Sequence, residues 1–287
     1  MEPTPLAIIS DNPVLTNNMP SFEVPGATLH YETFGGGPLL LLIPGADGRG
    51  SIFHNVAKFL ALSFTVICWD RRGYSKSFLK GPQDFNNRLS TDADDANRLI
   101  QHLSKDPAIV FGTSSGAIVA QRLLERHPGF VKKLFSHESP ALSILPEEFR
   151  TQGTGLIQHV YDTYRAHGTV ASMDVFTSGL SEGGDGAVMR SCMDATRGDE
   201  IRANSMFWFE FELRQYTSAP VDFKILEVEK EKFVPVAGVE SGGGPGVRPI
   251  AVIAKMLGKE IVRTPGGHVG FMTAPEVFTK TMLKLLK

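Results

Sequence analysis

The chain switches between two hydrophobic rhythms. Short apolar runs, LLLLI (39–43), FTVICWD (64–70), AIVFGTS (108–114) and VPVAGVE (234–240), show little alternation, as strands buried on both faces of a parallel sheet do. VKKLFSHE (131–138) and EIVRTP (260–265) are more polar members of the same set. Ahead of them, SFEV and ATLHYETF flank the turn dipeptide Pro25-Gly26 and read as a hairpin. Between the runs, residues 51–62, 91–104, 115–126 and 249–257 read as helices. The second opens on Thr91, Asp92 and Asp94 and buries Ala96, Leu99, Ile100 and Leu103. The last has Pro249 in its first turn and stops at Gly258. Strands alternating with helices predict an α/β fold, a mostly parallel eight-stranded sheet flanked by helices.

The alternation breaks between 141 and 225. This stretch reads as helical and irregular, with a Gly-rich patch SEGGDG (181–186) and an aromatic run FWFEFEL (207–213). The predicted organisation is therefore an N-terminal arm (1–20), a core (21–140 and 226–287) and an insertion (141–225) after the sixth strand. No internal repeat is visible.

Composition narrows the function classes. Of 287 residues, 42% are hydrophobic and 21% charged, the balance of a soluble globular protein. The net charge of −2 gives no steering toward nucleic acid or an anionic membrane, so neither is an expected partner. The longest apolar run is strand-sized, and the first residues do not read as a signal peptide. The two cysteines, Cys68 and Cys192, allow one disulfide but no paired-cysteine zinc spacing. A reduced, cytoplasmic location without metal or cofactor is the expectation. Nothing in the pattern speaks to oligomeric state.

The candidate chemistry begins at Gly112-Thr113-Ser114-Ser115-Gly116, a G-x-S-x-G between a buried strand and a small-residue helix. Glycines on either side let a serine sit on a tight strand-to-helix turn, where larger side chains would meet neighbouring backbone. The helix start then offers the Ser115 N–H to a developing oxyanion. Ser115 is the other hydroxyl, out of register with the glycines. A serine hydroxyl needs a base. Of eight histidines, His268 lies among Gly266, Gly267 and Gly270 and far downstream of the serine. His54 and His137 are rivals, and both are candidates for lining a pocket. His30, His102, His127 and His159 read as surface or packing residues.

On these segments the chain resembles the α/β-hydrolase superfamily, over about 22–140 and 226–287. LLIPGADG resembles the family's oxyanion loop, with Pro44 where many members have histidine; the resemblance implies Ala46 N–H as a second oxyanion donor. DRRGYSKS (70–77) is similar to the family's segment after the fourth strand, and TPGGHVGF (264–271) to its histidine loop. The resemblance implies a catalytic Ser114, His268 and a carboxylate. Two carboxylates compete. Glu240 ends the strand where most members keep the acid, but the usual slot, three residues after the strand's glycine, holds Ser241. Glu138 ends the sixth strand, in a segment similar to that of haloalkane dehalogenases, which carry their acid there; it is the preferred candidate. Ser114 in place of their aspartate argues against dehalogenation and epoxide hydrolysis.

The insertion resembles the superfamily's caps. Met173, Phe176, Met189, Met193, Met206, Phe207, Trp208, Phe209 and Phe211 suit an apolar wall, with Phe207, Trp208 and Phe211 as pocket candidates. The expected partner is a small to medium hydrophobic substrate, an ester or lactone. Carbon–carbon hydrolysis, a non-hydrolytic lyase or cyclase, and a non-catalytic ligand-binding protein are the alternatives.

Overall fold

The structure, a computed structural model, describes residues 20–178 and 184–286. The expected N-terminal arm lies, apart from Pro20, outside the described residues, as do Ser181, Glu182 and Gly183 of the Gly-rich patch.

Among the described residues, nine strands form one sheet: β1 (Ser21–Val24), β2 (Ala27–Phe34), β3 (Leu39–Ile43), β4 (Thr65–Trp69), β5 (Phe78–Leu79), β6 (Ala108–Thr113), β7 (Val131–His137), β8 (Phe233–Gly238) and β9 (Val262–Thr264). Their order is β1-β2-β4-β3-β6-β7-β8-β9, with β5 pairing β2. The hairpin strands pair antiparallel, and every pair from β4·β3 to β8·β9 is parallel. The eight expected strands are all present. The ninth, β5, is two residues long and carries no hydrophobic pattern that could announce it.

Every residue of β3 and β6 is buried, which is why their sequences do not alternate. Leu41, Ile43 and Val110 face one apolar layer with α2 (Arg88–Leu103), α3 (Ser115–Arg126) and α9 (Val247–Leu257). Leu40, Leu42 and Phe111 face the other with α1 (His54–Leu60), α10 (Gly270–Thr273) and α11 (Pro275–Leu285). Burying each such side chain is worth about 1.5–3 kcal/mol.

Between β7 and β8 the chain leaves the sheet for α4 (Glu147–Ser178, kinked at Gly168), α5 (Asp185–Cys192), α6 (Asp199–Phe211), α7 (Leu213–Ser218) and α8 (Phe223–Val228). These helices build a third apolar cluster, in which Met173, Met193, Trp208 and Phe209 close on Ala46 and Tyr74 of the core loops. They therefore lie against the loops that carry the candidate site. Cys68 and Cys192 are both free thiols. Among the described residues, no helix is long and apolar enough to cross a membrane, and no cluster of His, Cys, Asp or Glu is arranged to hold a metal.

Candidate active site

Ser114 sits at the turn from β6 into α3 with φ 54° and ψ −129°, a backbone state that L-residues rarely adopt. The flanking glycines make the turn possible. A Cβ on Gly112 would lie 2.5 Å from the Gly116 carbonyl oxygen, and one on Gly116 would lie 2.3 Å from the Ile43 carbonyl oxygen. Ser114 N–H donates to the His137 carbonyl across the sheet (2.9 Å), and the Ser114 carbonyl accepts from Ala117 N–H at the start of α3 (2.9 Å). The turn is thus held by packing and by hydrogen bonds on both sides.

The serine lines a cavity with about 450 Å³ of empty space, part of it open to solvent. Gly45, Ala46 and Asp47 of the loop after β3 form one wall. His268, Val269, Phe271 and Met272 form another, and Met189 and Cys192 of α5 with Met193 just after it roof it. Ile52 and Thr113 complete the lining. Apart from Asp47, Ser114, Thr113 and His268, the lining side chains are apolar or thiol.

His268 shares this cavity with Ser114, and its Nδ1 lies 2.6 Å from Glu138 Oε2. Glu138 directly follows β7, turned by a left-handed φ of 48°. Its other oxygen, Oε1, accepts Gly238 N–H at the end of β8 (2.8 Å). Burial pushes the Glu138 carboxyl up, but the hydrogen bond and charge of His268, with His137 beside it, hold it down at about 2. For His268, burial pushes the pKa down, and the Glu138 hydrogen bond and charge, helped by Asp185, carry it above its ordinary value. The two partners agree in direction, as a carboxylate–imidazole pair should.

Glu240, the other candidate acid, is exposed and makes no hydrogen bond to His268 among the described residues. Its backbone N–H donates to the Gly266 carbonyl (3.1 Å), so the strand's end is tied to the histidine loop through backbone alone. Ser241, in the slot three residues after the strand's glycine, is buried.

Asp185, from the part of SEGGDG that the structure describes, grips the histidine loop. Its Oδ2 accepts His268 N–H (2.8 Å) and its Oδ1 accepts Val269 N–H (3.3 Å). A Cβ on Gly267 would fall 2.1 Å from Asp185 Oδ2, which explains glycine there. Sequence reasoning missed Asp185, because a carboxylate in a Gly-rich patch signals nothing about a partner 83 residues away.

Several expected pocket residues are elsewhere. His137 is fully buried beneath the elbow, with Nδ1 2.9 Å from Thr113 Oγ1 and its ring stacked 6.0 Å from that of His268. Burial pushes its pKa down to about 4, so it is neutral and packs behind the site, away from the cavity. His54 faces the sheet edge, 3.1 Å from Glu32 and against Phe34. Phe207 packs on Tyr74 (5.1 Å) under the Arg88 guanidinium (4.3 Å). Phe211 stacks on Phe85 (4.0 Å), and Trp208 packs against Phe176 inside the helices. These aromatics join the helices to the core. The apolar roof comes instead from Met189 and Met193, both among the methionines singled out in the sequence, with Cys192 beside them.

The loop after β3 presses on the elbow. A Cβ on Gly45 would lie 2.9 Å from Ser114 Cβ. Ser115 N–H heads α3, one of the first-turn donors that no helical carbonyl takes up. Ala46 N–H likewise finds no acceptor among the described residues. Asp47, buried with Arg49 and Asn204 as its partners, is pushed by burial up to about 6.

A family profile for the alpha/beta hydrolase fold matches residues 38–187. A Bacillus subtilis (strain 168) hydrolase, YraK, is 30% identical over 277 residues, covering 95% of this chain and 97% of the relative. The zearalenone hydrolase of Bionectria ochroleuca is 24% identical over 264 residues, covering 90% and 94%. Among solved structures, the enol-lactonase from Burkholderia xenovorans LB400 superposes with a TM-score of 0.70 at 18% identity, covering 93% of this chain and 99% of that one. The profile spans more than half of the chain and the strain 168 relative nearly all of it: the chain belongs to the α/β-hydrolase fold family and is an enzyme of it.

Proposed function

We propose that the protein is a serine hydrolase of small to medium, largely apolar carboxylic esters or lactones, working through an acyl-enzyme. Ser114 is the nucleophile, His268 the base and Glu138 the acid that orients it. The backbone N–H groups of Ala46 and Ser115 receive the oxyanion. The helices within 141–225 act as a cap, and α5 supplies the pocket roof.

The observation that carries this reading is the hydrogen bond that buried Glu138 accepts from His268, which shares a cavity with Ser114 on its strained turn. Glu138 holds the proton on Nδ1 and leaves Nε2 free to take the Ser114 proton. Attack on the carbonyl gives a tetrahedral oxyanion, and its collapse expels the alcohol, protonated by His268. His268 then activates water, which attacks the acyl group and regenerates Ser114. The apolar lining favours a substrate with little charge. The zearalenone hydrolase and enol-lactonase likenesses support a lactone among the first substrates to try.

The test has two parts. A fluorophosphonate should add once, at Ser114, as read by peptide mass spectrometry. A panel of esters, lactones and diketones, with products identified by mass spectrometry, should show ester or lactone cleavage. Activity lost in His268→Ala but kept in Ser114→Ala would instead mean base chemistry without an acyl-enzyme. Turnover of diketones alone would mean carbon–carbon cleavage, and tight ligand binding without turnover a binding protein.

A further inference from the structure

A second buried carboxylate from the helices between β7 and β8, besides Asp185, reaches into the sheet's loops. Glu212, at the irregular join of α6 and α7, is 1% exposed. Its Oε1 accepts from Arg71 Nη2 (2.8 Å) and from Ser115 Oγ (2.6 Å), and its Oε2 accepts from the Tyr74 hydroxyl. Arg71 is fully buried and donates onward from Nε to the Pro44 carbonyl (3.0 Å), from Nη2 to the Gly45 carbonyl (2.7 Å) and from Nη1 to Asp92 (2.7 Å).

Two of these contacts bear on the oxyanion donors. In a trans peptide the carbonyl and the next N–H point in opposite directions. Arg71 holds the Gly45 carbonyl toward itself, so the Ala46 N–H is turned away from Arg71. The Ser115 hydroxyl fixes the first residue of α3, whose own N–H is the other donor. A single Glu212 oxygen is common to both arms. A buried ion pair is weak evidence for stability, because apolar replacements of equal volume often do as well or better. What such a pair supplies here is fixed geometry.

We propose that Glu212 is a positioning residue: through Arg71 and the Ser115 hydroxyl it sets the two backbone N–H groups, of Ala46 and Ser115, at the spacing that a tetrahedral oxyanion needs. The inference rests on the ester or lactone reading given above. Glu212 touches no reacting atom. Its effect belongs to the transition state, where charge develops on the carbonyl oxygen, and not to ground-state binding.

The test compares Glu212→Gln and Ser115→Ala with the wild type on the best ester or lactone of the panel. The readouts are kcat, KM, affinity for an aryl boronic acid, and affinity for the product carboxylic acid, with folding checked by circular dichroism. A boronic acid forms a tetrahedral adduct on a serine and so reports on the oxyanion site. Both variants should lose about 10–100-fold in kcat, up to the cost of misplacing a catalytic group by an ångström, with a matching loss of boronate affinity. KM and product affinity should stay within about twofold, the signature of an interaction made only in the transition state. Ser115→Ala leaves the Arg71–Glu212 pair and every backbone N–H in place, so it decides the matter if Glu212→Gln does not fold. Folded variants with unchanged boronate affinity, or with the whole loss in KM, overturn the inference while leaving the functional reading intact. A wild type that cleaves nothing in the panel and binds no boronate overturns both.

Discussion

Replacing Glu138 by Gln tests the site where its geometry is most specific. The carboxylate accepts two donors at once, His268 Nδ1–H at 2.6 Å and Gly238 N–H at 2.8 Å. An amide offers one oxygen and one NH2. If the oxygen stays on Gly238, the NH2 faces Nδ1, which must then accept. The imidazole proton moves to Nε2, and the histidine can no longer take a proton from Ser114. If the amide flips, the buried Gly238 N–H loses its partner, at a cost of about 1–3 kcal/mol in stability. The first arrangement is the cheaper one, so the effect should fall on rate. By analogy with the Asp→Asn change in serine proteases, kcat should drop about 10⁴-fold, equivalent to about 5.5 kcal/mol on the barrier. The assay is steady-state ester or lactone hydrolysis across pH, with Glu240→Gln as control. The base works deprotonated, so activity climbs as pH rises through the His268 pKa, which the Glu138 hydrogen bond and charge and the Asp185 charge hold above 6.5 against the opposing pull of burial. Without the Glu138 charge, this acid limb should move to lower pH. A Glu138→Gln loss below about tenfold, or an equal loss in Glu240→Gln, would refute the assignment.

Three further outcomes follow from the same geometry. His137 is held neutral by burial at about 4 in the folded chain against an ordinary 6.5, so its contribution to stability is complete above pH 6.5 and is lost as pH falls through 4; unfolding titrations should show about 3 kcal/mol lost across that window, and His137→Phe should flatten the slope. Asp185→Asn removes a charge that raises the His268 pKa, so the acid limb of kcat/KM should shift to lower pH, whereas Asp185→Ala should also lower kcat as the loop loses both N–H acceptors; a pH profile identical to wild type in both variants would rule out the clamp. Gly116→Ala drives a Cβ to 2.3 Å from the Ile43 carbonyl oxygen, so denaturant unfolding should show a loss of about 1–3 kcal/mol, together with a fall in kcat as the elbow shifts.

The sheet could be read from the chain because strands such as 39–43 and 108–113 are buried on both faces and wear that fact openly in their composition. The serine turn could be read because glycine is forced at 112 by backbone a few residues on and at 116 by the loop after β3, and the two glycines that result stand in a fixed spacing around the serine. The proposed acid stays open in the sequence, because Glu138 and Glu240 each close an apolar, strand-like run. What separates them is the left-handed turn at Glu138 and the exposed side chain at Glu240, neither of which has a pattern in the sequence. Phe207, Trp208 and Phe211 suit a pocket wall in the sequence yet pack elsewhere, because aromatic density reports burial and does not say against what. Asp185 and Glu212 bind partners 83 and 97 residues away, and no spacing rule reaches that far.

The buried Arg71 also bears on how far this enzyme can be re-engineered by exchanging its helical segment. Arg71 and Asp92 come from the first third of the chain, whereas Glu212 and Tyr216, whose hydroxyl donates to Asp92 at 2.8 Å, arrive with α6 and α7. A shortened chain that joined β7 directly to β8 would strip the guanidinium of one of its two carboxylates and open Tyr74 to water. A segment transplanted from another hydrolase would have to bring an acid to the same point. The sheet and the helices above it are thus joined by one buried charge cluster, and a change of specificity is better sought at the proposed pocket roof, by altering Met189, Cys192 and Met193 one at a time.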